Sequence, residues 1–200
     1  DFKVQDTKVV KATNPQPWQL HQDYNKIDLS SKAKDYHAKM QSTAYLVFKD
    51  GKLLNEHYFE GGGKDNVSAL WSITKSYTSF LALKAVEDGL FASIDDPVSK
   101  YVPNWNVTQD KELTLRHLAS MSTGLFWDEM DKQPFSLIAK LNFCSDIEEF
   151  VTEDLYAIGN PGEEQNYDSG ATQLLGLALM KVLKDKSLTE YLEEKFWQPL

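Results

Sequence analysis

Ser72 and Lys75 stand three residues apart in a 200-residue chain, and a spacing of three places both side chains on one face of a helix. A helix that starts at the serine would set its hydroxyl among unpaired backbone N–H groups, at the end where the helix dipole favours negative charge. One turn would then supply a nucleophile, an amine to take its proton and a donor for an oxyanion. That combination is acyl-transfer chemistry. The spacing alone decides little, because Ser31 and Lys34 repeat it. They lie in the polar run Ser30-Ser31-Lys32-Ala33-Lys34-Asp35, which reads as the exposed face of an ordinary helix.

The setting separates the two pairs. Ala69-Leu70-Trp71 lead into Ser72, and Tyr77, Phe80, Leu81, Leu83, Ala85 and Val86 follow before a stop signal at Gly89. An apolar helix of this kind predicts a partly desolvated Lys75, and desolvation disfavours the ammonium form, as an amine base requires. The competing reading makes Ser72 an N-cap and lets Lys75 snorkel to water. Local sequence leaves both open.

Ser72-Ile73-Thr74-Lys75 resembles the nucleophile helix of the serine β-lactamase and penicillin-binding-protein superfamily, whose signature includes S-x-x-K. The runs Glu87 to Leu90, Ile94 to Pro103, Leu113 to Leu125, Pro161-Gly162, Tyr167-Asp168-Ser169 and Leu174-Leu175-Gly176 are similar to the class C-like branch. That branch includes esterases, D-aminopeptidases, DD-peptidases and 6-aminohexanoate-dimer hydrolases. The resemblance spans about residues 43–200 and covers the N-terminal portion of such proteins.

It implies that Tyr167 pairs with Lys75 and relays a proton between nucleophile and leaving group. It places Ser169 in support, where other members carry Asn, and so ranks small esters and amides above β-lactams. It also implies that Trp127 lines a substrate pocket, on a loop where Asp128 and Glu129 read as solvated charges. For Tyr167 the plain alternative is a tyrosine anchoring a loop, and for Trp127 it is ordinary packing.

The formal charge of −9 argues against nucleic acid and anionic membrane surfaces as partners. Apolar residues at 42% and aromatics at 12% mark a globular chain. The longest apolar run, Leu174 to Leu183, is broken by Lys181 and is too short to span a bilayer. One cysteine, Cys144, excludes an internal disulfide and a Cys-rich metal centre, and reads as a small buried hydrophobe. His117 reads as a hydrogen-bonded core residue. His21, His37 and His57 lack metal-ligand spacing, so neither metal nor cofactor is expected. The start at Asp1, without methionine or signal sequence, reads either as a removed export signal or as a trimmed chain. The resemblance implies a periplasmic or secreted protein, since many members act outside the cytoplasm.

The elements that must hold these residues read as α+β, of the β-lactamase/transpeptidase-like kind: an antiparallel sheet packed with helices, plus a helical subdomain. Residues 1–71 should hold an extended lead-in, a helix over Ile27 to Met40 and a hairpin. Its strands, Thr43–Phe48 and Leu53–Phe59, flank Asp50-Gly51. Residues 72–200 should hold helices near 72–88, 95–101, 114–121, 134–140, 146–154, 170–184 and 187–196. The resemblance implies further C-terminal strands and a third motif beyond residue 200, so the remainder of the protein is an expected partner. The expected function is a serine hydrolase that cleaves small carboxylesters or amides through an acyl-enzyme on Ser72. A DD-peptidase, D-aminopeptidase or β-lactamase, and a non-catalytic binding protein on the same fold, are the alternatives.

Overall fold

The computed structural model describes residues 9–10 and 14–199, which fall into two compact units, one of residues 14–70 and one of residues 9–10 with 71–199. The expected extended lead-in over residues 1–8 and 11–13, and residue 200, lie outside the described residues.

In the first unit, α1 (Ser31–Lys39) starts where the Ser30 hydroxyl accepts the Ala33 N–H. It is shorter than the expected Ile27–Met40 helix because the cap sits at Ser30. Strands β1 (Ala44–Lys49) and β2 (Lys52–Tyr58) pair antiparallel, with a bulge at Val47/Phe48. Asp50 and Gly51 take φ of +51° and +72°, the left-handed pair that a two-residue hairpin turn demands. The lead-in joins this hairpin through backbone bonds, with His21 N–H donating to the Leu53 carbonyl and Leu53 N–H to that of Gln19, both at 2.9 Å.

The second unit is helical. Helix α2 (Ile73–Glu87) buries Leu81, Ala82 and Ala85, and α6 (Ser169–Leu183) buries Leu174, Leu175, Ala178 and Leu179 against them in one core. Around these two lie α3 (Leu115–Ala119), α4 (Leu137–Phe143), α5 (Ile147–Glu149) and α7 (Leu188–Leu192). The last two widen into π-type turns over Phe150–Asp154 and Glu193–Trp197. The regular helix ends sooner than the expected ranges 146–154 and 187–196.

The helix expected near 95–101 does not form; only a 3-10 turn, Val98–Lys100, appears there. The backbone is committed elsewhere. Val98 N–H donates to Leu113 O at 2.9 Å, Leu115 N–H to Asp96 O at 3.1 Å, and Pro97 bridges Thr114. Extended Pro97, at ψ 143°, suits that pairing and not a helix. Among the described residues no helix is long and apolar enough to cross a membrane.

Candidate active site

Ser72 stands at the mouth of α2. Its backbone is already helical, at φ −66° and ψ −12°, so its hydroxyl makes no capping bond to the helix. A serine that caps normally has extended backbone, as Ser30, Ser136 and Ser187 do here. The freed Oγ instead accepts from Lys75 Nζ at 2.9 Å. Trp71, just before it, takes φ +46°, a left-handed conformation that costs a bulky residue about 1–3 kcal/mol and turns the chain sharply into the helix. The Ser72 N–H makes no hydrogen bond to another described residue and is available to an incoming oxyanion.

Tyr167 reaches the same place from α6. Asp168 caps that helix by accepting the Ala171 N–H at 2.9 Å, and Tyr167 is the residue before the cap. Its ring centroid lies 4.9 Å from Lys75 Nζ, within cation–π reach. The sequence-predicted serine, lysine and tyrosine therefore meet around one amine, at the N-terminal ends of two helices that share a core. Ser72 is exposed, Lys75 is half-buried and Tyr167 is 45% exposed.

The remaining predicted residues are placed differently. Ser169 is buried and turns its hydroxyl to Glu129 Oε1 at 2.7 Å. Trp127, expected as a pocket wall, is only 4% exposed and packs edge-on against Phe150 in the core. Its one polar atom, Nε1, donates to Glu129 Oε2 at 2.6 Å. In this conformation the indole has almost no surface to offer a substrate.

Glu129, expected as a solvated charge, is half-buried and joins Trp127 to Ser169. Nothing local in Trp127-Asp128-Glu129 signals this, because one of its two partners lies forty residues away. Asp128 is exposed, as expected, and accepts the Met130 N–H in a tight turn. His117 is half-buried and accepts the Thr114 N–H through Nδ1 in a capping box on α3. Burial lowers its pKa, the neutral form that such an acceptor needs. Cys144 is half-buried, with its thiol on the Leu141 carbonyl. Among the described residues no grouping of His, Cys, Asp and Glu could hold a metal ion.

Asp168 carries the site's largest electrostatic perturbation. Burial pushes its carboxyl up from 3.8 to about 6, against the helix N–H groups and the Thr123 hydroxyl that favour its charge, and the Glu129 charge raises it further. A carboxyl raised in the folded state favours folding while protonated, so its contribution is fully present below pH 4 and is lost as pH rises through 6. Asp168→Asn keeps the cap without the charge. Relative to wild type it should gain up to about 3 kcal/mol above pH 7 and nothing near pH 4. Urea unfolding of both proteins at several pH values checks this; a difference that does not vary with pH would contradict it.

With this geometry in place, the comparisons with known proteins are specific. The family profile described as Beta-lactamase matches residues 29–200, and the chain belongs to that family. The Staphylococcus aureus protein flp is 29% identical over 166 residues, 78% of this chain and 32% of that protein. A Bacillus anthracis structure described as a 6-aminohexanoate-dimer hydrolase superposes with a TM-score of 0.69 at 20% identity, over 82% of this chain and 46% of that one. The octameric penicillin-binding protein homologue of Pyrococcus abyssi gives a TM-score of 0.60 at 26% identity, over 83% and 41%. The fold is β-lactamase/transpeptidase-like. The chain spans about a third of the curated relative and less than half of each solved neighbour.

Proposed function

We propose that this chain carries the nucleophile half of a serine hydrolase that cleaves small carboxylesters or amides. The observation that supports it most directly is the 2.9 Å bond from Lys75 Nζ to a Ser72 Oγ that caps nothing. With the lysine as free amine, the Ser72 proton passes to Lys75 as Oγ attacks the carbonyl carbon. The oxyanion that forms takes the Ser72 N–H as one donor. Collapse breaks the bond to the leaving group, which departs with the proton returned from Lys75 through Tyr167. Water, deprotonated by the same pair, then hydrolyses the acyl ester and restores the serine.

The activity is proposed for the whole protein, because this chain spans about a third of the curated relative and less than half of each solved neighbour. A location in the periplasm or outside the cell belongs to the same proposal. Ser169 in place of Asn supports esters and amides over β-lactams. The likeness to a penicillin-binding protein homologue favours a second reading, a peptidase acting on D-amino-acid peptides. Treatment of the full-length protein with a fluorophosphonate probe should leave one adduct, on the tryptic peptide that holds Ser72. Ser72→Ala should abolish it. An adduct that persists in this variant, or none on wild type, defeats the hydrolase. Stable acylation of Ser72 by penicillin favours the peptidase.

A further inference from the structure

Tyr167 is 45% exposed, so packing of its own ring does little to fix its place over Lys75. What holds it is the backbone on either side. One residue upstream, Asn166 donates its side-chain N–H to the Trp127 carbonyl at 2.8 Å and its backbone N–H to Met121 O at 2.9 Å. Two residues downstream, the buried Ser169 donates its hydroxyl proton to Glu129. The same carboxylate takes the only polar proton of the Trp127 side chain. At Gly170 the contact is so close that a Cβ would lie 2.8 Å from Trp127 Cζ3 and 2.9 Å from Leu155 Cδ2. The segment that bears the tyrosine is thus pinned on both flanks to the loop 121–129. On the downstream flank the Thr123 hydroxyl donates to Asp168 at 3.4 Å, and Glu129 makes the shorter polar link, at 2.7 Å to Ser169.

We propose that Glu129 is a positioning residue for the hydrolysis inferred above: by bridging Trp127 and Ser169, it sets where Tyr167 sits over Lys75. The proposal rests on the hydrolase reading for its kinetic consequence, but not for its geometry. Bonds to a carboxylate are shorter and stronger than those between neutral groups, which suits a tie that must hold an exposed ring to within a fraction of an ångström. A displacement of about 1 Å at a reacting group lowers rates on the order of 10²-fold.

The test uses the full-length protein and p-nitrophenyl acetate. Glu129→Ala and Ser169→Ala should each lower kcat about 10- to 100-fold, with KM changed less than about twofold. The double variant should be no worse than the poorer single one, because both cut the same link. Glu129→Gln should recover most of kcat, since its carbonyl accepts the indole N–H while the Ser169 hydroxyl turns to accept from its amide. Losses that multiply, a glutamine variant as poor as alanine, or wild-type kcat in Glu129→Ala would each overturn the proposal. Should Glu129→Ala fail to fold, Trp127→Phe withdraws one donor alone and should lower kcat in the same direction; an unchanged kcat would count against the tie.

A second readout is independent of turnover. In a Ser72→Ala background, Ser169→Ala should move the ring resonances of Tyr167 in selectively labelled protein. Unmoved signals reject the tie whether or not Ser72 proves to be the nucleophile.

Discussion

Replacing Lys75 with methionine is expected to lower ester hydrolysis by the full-length protein by at least about 10³-fold, and labelling of Ser72 by a fluorophosphonate in parallel. Methionine keeps the length and half-burial of the side chain, so the fold should persist. It removes the group that, among the described residues, bonds Ser72 Oγ, and with it the acceptor for the serine proton. A serine hydroxyl without a base at hydrogen-bond distance is a poor nucleophile at neutral pH. Because Ser72 and Lys75 would act as a unit, Ser72→Ala combined with Lys75→Met should be no slower than either variant alone. Tyr167→Phe separates the two roles open to the tyrosine. Phenylalanine preserves the ring 4.9 Å from the amine but cannot pass a proton. If the phenol relays protons, this variant loses most of kcat; if the ring only steadies the ammonium, it does not. Retention of more than a tenth of the activity by Lys75→Met would remove the amine from the mechanism.

Trp127→Ala should cost about 3–5 kcal/mol of folding stability, the range for removing a large aromatic from a core. The indole is 4% exposed, stands edge-on to Phe150 and fills the space left by the missing side chain of Gly170. Its loss also leaves Glu129 Oε2 without its donor. Against a total stability of about 5–15 kcal/mol, this is a large share, and the urea midpoint should fall well below that of wild type. Trp127→Phe fills most of the volume and gives up one hydrogen bond, so it should cost about 1–2 kcal/mol. Urea unfolding followed by far-ultraviolet circular dichroism measures both. Near-wild-type stability in the alanine variant would show that the indole is a pocket wall after all, not a core residue.

Much of the framework was legible because it is local. Asp50-Gly51 specifies its hairpin through left-handed backbone that few other pairs adopt. The apolar spacing after Ser72, ended by Gly89, places α2 to within a residue or two. The apolar run Leu174 to Leu183 places α6 near 170–184, within a residue of its observed span Ser169–Leu183. The 95–101 segment departs from its expected helix for the opposite reason. Residues 96–98 bond to 113–115, partners that lie several helical turns further along the chain and outside the reach of local periodicity.

The chain by itself determines that Ser72 and Lys75 share a helix face, and it determines the same of Ser31 and Lys34. Tertiary structure decides which pair becomes a site. Lys34 sits on an exposed helix and turns to Asp28 at 2.5 Å, while Lys75 has no such carboxylate partner among the described residues and turns to Ser72, beside a tyrosine delivered by α6. Helical spacing brings side chains within reach, but the strongest partner in the folded neighbourhood takes the bond. For Lys75, as for Glu129, that neighbourhood is assembled from residues far apart along the chain.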